Sequence, residues 1–174
     1  MPGSVIQKSL NYGYEGSISR NTPFEVLSMP VDETSDNIPF GYAIMKTADS
    51  TFKLADATTT AANFVGLATN EVRQNNNYPY APVAAPPPNF FPPLAQGDAL
   101  VMGIMTVKCR RGTPSPLAGV YLRIAANVAY PNTVVGGLEA TADGSNTVQL
   151  TNAKWVTNRI DANGITEVRL QYAN

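Results

Sequence analysis

The chain has 174 residues, with 12 Lys and Arg against 13 Asp and Glu, a net charge of −1, and charged residues making up only 14% of it. That length suits one domain with a core large enough to fold without disulfides. So even a balance argues against the clustered basic surface that phosphate binding needs. Histidine is absent, which removes His-dependent triads, the commonest general base and nearly all zinc chemistry together.

Residues 1–37 show little alternation and end in the polar run Asp32-Glu33-Thr34-Ser35-Asp36-Asn37. Their apolar residues, among them Val5, Ile6, Leu10, Tyr12, Tyr14 and Ile18, are too dispersed for a core strand and too many for a disordered tail. We read the segment as an extended N-terminal arm that finds its burial on another molecule. The alternative is an ordinary first strand pair of the same domain. Residues 38–174 read as a single β domain, because strand-like runs recur along it and no window of ten residues keeps helical spacing unbroken. In Thr51–Ala55, Phe52 and Leu54 point one way and Lys53 the other. Phe64–Ala68 is apolar on both faces, the mark of a central strand or one covered by a partner.

A long Pro-rich loop follows at residues 74–96, holding seven of the 14 prolines. Proline offers no ladder donor, so a central strand is excluded. Its aromatics Tyr78, Tyr80, Phe90 and Phe91 read as contact area on a stiffened loop. Ala99–Met105 is again apolar on both faces. Val120, Leu122 and Ile124 alternate with Tyr121 and Arg123, and Val168, Leu170 and Tyr172 with Glu167, Arg169 and Gln171. Asp143-Gly144 and Asn163-Gly164 are turn signals, the latter between Ile160 and Ile165. The expected fold class is all-β: a small β-barrel or β-sandwich with the arm and the Pro-rich loop as additions.

Chemistry is hard to find. No phosphate-cradling glycine loop, nucleophile elbow or cysteine pair is present. Asp161–Glu167 starts like a calcium loop, but Thr166 stands where its glycine should be, so a hairpin turn is the better reading. The single Cys109 reads as a small filler at a strand end. Lys108, Arg110 and Arg111 form the one basic cluster, suited to an ion pair or an assembly contact. No window approaches the ~20 apolar residues of a membrane span, and the first residues carry no signal-peptide pattern. We therefore expect no catalytic, cofactor-binding or metal-binding residues.

The order of short signatures adds a resemblance. Gly16-Ser17-Ile18-Ser19-Arg20 is followed by Ile38-Pro39-Phe40-Gly41-Tyr42-Ala43 and Phe64-Val65-Gly66-Leu67-Ala68. After the proline loop come Gln96-Gly97-Asp98-Ala99-Leu100-Val101 and Gly119-Val120-Tyr121. This pattern, from about Gly16 to Leu170, resembles the capsid cement, or decoration, proteins of tailed double-stranded DNA bacteriophages. The resemblance implies a non-enzymatic virion protein, made in the host cytoplasm, that binds the outside of the mature capsid and reinforces it. Its implied partners are the major capsid protein and itself, as a homodimer or homotrimer, with neither nucleic acid nor membrane. Contacts are expected at Val5, Ile6, Leu10, Tyr12, Tyr14, Ile18, Tyr78, Tyr80, Phe90 and Phe91. Two other classes stay open: a head-fibre, tail or adhesin-type β module recognising a host surface glycan or protein, and a hydrolase working through two carboxylates.

Overall fold

Gln96–Lys108 forms a 13-residue strand in the computed structural model, which describes residues 11–20, 22–70 and 89–172. Most of its side chains are buried on both faces, as the unbroken apolar run from Ala99 to Met105 predicts. Among the described residues the strands in chain order are β1 (Glu25–Pro30), β2 (Ile38–Pro39), β3 (Ala43–Lys46), β4 (Phe52–Leu54), β5 (Phe64–Ala68) and β6 (Phe90–Phe91). They continue with β7 (Gln96–Lys108), β8 (Gly119–Arg123), β9 (Leu138–Glu139), β10 (Thr147–Trp155) and β11 (Ile165–Leu170). A three-residue 3-10 turn, Gly144–Asn146, takes up the Asp143-Gly144 turn signal.

β7 organises a nine-stranded sheet in the order β4-β3-β5-β7-β11-β10-β8-β9, with β1 also on β7. β1 covers the first half of β7, from Glu25 opposite Met102 to Pro30 opposite Gln96. β5 meets that same half at Leu100 and Ala99, and β11 takes the second half, from Leu170 opposite Gly103 to Ile165 opposite Lys108. A sheet this wide twists and curls. The expected barrel or sandwich is thus a curled half-barrel sheet, with β2 and β6 as a separate two-stranded ribbon.

Alternation divides the buried side chains between two clusters. On β3, β5 and β7, the residues Ala43, Leu67 and Leu100 join the large cluster around Trp155, Leu122 and Val168. Their neighbours Ile44, Ala68 and Ala99 join a smaller one with Val31, Ile38, Phe52 and Phe91. Both faces of this part of the sheet are therefore covered, which is why Phe64–Ala68 and Ala99–Met105 lack polar positions. Gly66 has a packing reason: a Cβ there would strike the carbonyl oxygen of Leu100.

Two expectations are corrected here. Phe91, expected at a contact, is fully buried, its ring edge-on to Phe40 at 5.1 Å; pairing of β6 with β2 turns it inward. Arg123, which alternation sets on the polar face, is also fully buried. It is held there by Glu139, which accepts from its Nε at 2.6 Å and Nη2 at 2.9 Å, and by Asp143, which accepts from Nη1 at 2.5 Å. A two-residue alternation rule does not see a partner 16 residues further along the chain.

Candidate capsid-contact surface

The described part of the arm is tied to β7. Gly16 N donates to Thr106 O at 2.8 Å, Thr106 N to Ser17 O at 2.9 Å, and Ser19 N to Ile104 O at 2.8 Å. Ile18 bridges to Met105, and Thr106 Oγ1 donates to Tyr14 O at 2.5 Å. Arg20 Nε and Nη2 reach the buried Glu167 at 3.0 and 2.6 Å, and the Ser19 hydroxyl donates to it too. Arg20 and Ser19 hold the Glu167 carboxyl below its ordinary value against the opposing effect of burial. At the other end, Tyr12 N donates to Asp161 at 3.0 Å. The same carboxylate caps the Asn163-Gly164 turn through Asn163 N and Ile165 N.

This docking explains two of the glycine signatures. Gly16 has a φ of 86° and Gly41 one of 81°, and each sits where a Cβ would collide with the other's neighbourhood. Asn70 N donates to Gly16 O at 2.7 Å, and Gly41 N to Ala68 O at 2.8 Å. Three separate stretches of the resemblance thus meet at one junction, beside a cleft of about 370 Å³. Tyr14, Glu15, Phe40, Tyr42, Asn70, Asn89 and Arg110 line it. Arg110 pairs with Glu15 at 3.0 Å and donates to the Tyr42 hydroxyl at 3.0 Å. Burial pushes the Glu15 carboxyl up even so.

The sequence-predicted contact residues fall into three groups. Val5, Ile6, Leu10, Tyr78 and Tyr80 lie outside the described residues. Tyr14 and Ile18 are exposed, at 79% and 37%. Tyr12 and Phe90 are half-buried, while Phe91 belongs to the core. Exposed apolar residues that were not among the expected contacts include Phe24, Leu94, Leu117, Val128 and Tyr172. Leu94 and Leu117 each follow a proline, and that was the available signal.

Two of the carboxylates with little exposure have structural occupations. Glu139 and Asp143 share Arg123, with Arg111 3.7 Å from Glu139. Asn127 and Arg123 hold the Asp143 carboxyl below its ordinary value. Cys109 is half-buried, packs against the large cluster, and has its thiol pushed up by burial. Among the described residues, no group of three or more Cys, Asp or Glu is placed to hold a metal ion.

No curated protein matches the chain. Among solved structures, a chain of "The capsid of Myoviridae Phage XM1" superposes with a TM-score of 0.67, covering 96% of this chain and 95% of that one at 14% identity. That likeness is one of fold. The family model described as structural cement protein (E217 gp24/Pam3 gp6) matches residues 2–171. With nearly the whole length matched and the β architecture in place, the chain belongs to the phage structural cement protein family and has a capsid-reinforcing role.

Proposed function

We propose that the chain binds the outer surface of the mature phage capsid, bridges neighbouring major capsid proteins, and acts without catalysis as a homodimer or homotrimer. The observation that carries this reading is the family match across residues 2–171. The physics supports it. A near-neutral chain with exposed Tyr14, Phe24, Leu94 and Leu117 has apolar area to offer and little net charge to repel a shell. Binding the mature shell in preference to its precursor stabilises it by mass action. Many copies acting together supply a strength that no single interface has.

The test is quantitative mass spectrometry on purified particles, with surface proteolysis of intact ones. Copies on the scale of the major shell protein, cleaved without opening the particle, are the expected result. A few copies per particle would point to a fibre or tail part, and protection from protease would place the chain inside. Light scattering on the free protein separates dimer from trimer.

A further inference from the structure

Two turns that share the sequence Pro-Leu-Ala stand out. In Pro92-Pro93-Leu94-Ala95 and Ser115-Pro116-Leu117-Ala118, the last amide donates to the first carbonyl, at 3.2 and 3.0 Å. The leucines have φ of 64° and 65°. This is a type II turn, whose third position asks for glycine or asparagine because an L-side chain is strained there. Each leucine's own amide is fixed to the sheet, Leu94 N to Val31 O at 3.0 Å and Leu117 N to Trp155 O at 2.9 Å. The side chains are nevertheless 76% exposed in both cases. Two other non-glycine residues with positive φ are found among the described residues, Arg20 and Ser50. Arg20 is compensated by Glu167, and Ser50 is a small polar turn residue. Among the described residues, neither leucine side chain belongs to either apolar cluster.

The surroundings of Leu117 carry a second unexplained cost. Lys154 on β10 stands directly opposite Arg169 on β11, a like-charge pair that disfavours the sheet. Neither cation has an ion-pair partner among the described residues. Both line a hollow of about 80 Å³ with Leu117, Trp155 and Val156. A strained exposed leucine, two crowded cations and a hollow occupy one place. One partner would bury the leucine, fill the hollow and neutralise the cations: an apolar patch carrying a carboxylate.

We propose that Leu117, with Lys154 and Arg169, docks an apolar, carboxylate-bearing patch of the capsid shell protein, and that Leu94 is a second rigid apolar knob for the same shell. The inference rests on the capsid-binding reading above and names contact residues for it. Leucine burial supplies the attraction, and the bridging carboxylate sets the register.

The test measures co-sedimentation of full-length protein with mature shells that lack it, beside thermal unfolding of the free protein. Leu117→Gly and Leu117→Asn both accept the left-handed backbone, so each should keep Tm at or above the wild-type value. Attachment should weaken at least about tenfold, and Leu94→Gly should act in the same direction. Lys154→Glu should weaken attachment while easing the cross-strand repulsion. Undiminished attachment of both Leu117 variants would overturn the proposal, as would a loss only in step with a fall in Tm. A drop in the free protein's oligomeric mass would give the surface to a second copy instead, also overturning it. Failure of the wild-type protein to sediment with shells would sink the capsid reading itself, a result separate from these.

Discussion

At the scale of single residues, the buried charges among the described residues sit in ion pairs that hold separate stretches of chain together. Arg123 is the clearest case, with no exposed surface and two carboxylates on its guanidinium. Arg123→Met leaves Glu139 charged and buried, so we expect a loss of about 3–5 kcal/mol in denaturant unfolding. The double change Arg123→Met with Glu139→Leu should recover much of it, because no unpaired charge is left at the two fully buried positions. Glu167 makes the arm's attachment pH-sensitive. Its folded pKa lies below the ordinary 4.5, so its stabilising contribution is complete above that value and is lost as pH falls through the lowered one. The protection of the Thr106 amide, which donates to Ser17 O, measured against its intrinsic exchange rate at each pH, should therefore fall in acid. Glu15 has the opposite sign: its raised pKa means that protonation just above 4.5 favours the folded form.

At the scale of elements, residues 16–19 and β1 run antiparallel to successive halves of β7. The segment first read as an arm to about residue 37 thus includes a sheet strand from Glu25, and Val31 lies in the smaller cluster. A deletion through residue 20 strips partners from Thr106, Ile104 and the buried Glu167. We expect it to cost about 3 kcal/mol or more in thermal or denaturant unfolding. In a variant lacking residues 1–11 that keeps the wild-type Tm, loss of shell attachment is the readout for a contact role of Val5, Ile6 and Leu10. For β6, Phe91→Ala should cost about 3–5 kcal/mol. Phe90→Ala, on a half-buried neighbour, should cost distinctly less in the same unfolding experiment.

At the scale of the whole molecule, a curled sheet carries one large cluster and a second that includes Ile38 and Phe91 of the β2–β6 ribbon. Buried contacts of this kind fix the described sheet, so little order in it remains to be imposed on binding. With a net charge of −1, attachment should depend only weakly on ionic strength. We expect less than about a tenfold change in apparent affinity from 0.1 to 0.5 M salt, since contacts closed off by leucine are screened little. A steep slope in the same sedimentation assay would mean that surface ion pairs dominate the interface.

Local patterning by itself determined the all-β class, the central place of Phe64–Ala68 and Ala99–Met105, the Asn163-Gly164 turn and the absence of histidine chemistry. These depend on side-chain period and on single residues, which a linear reading contains. The order of glycine signatures also carried the family resemblance, and Gly16, Gly41 and Gly66 proved to sit where backbones approach too closely for a side chain. Only the tertiary structure decided that Phe91 turns inward, that Arg123 is buried against Glu139, and that Ser19 and Arg20 close over Glu167 148 and 147 residues away. It also decided that Lys154 faces Arg169 beside Leu117. Each of these depends on which distant strand lies alongside. Pairing register sets that neighbour, and the local pattern of one strand carries no information about it.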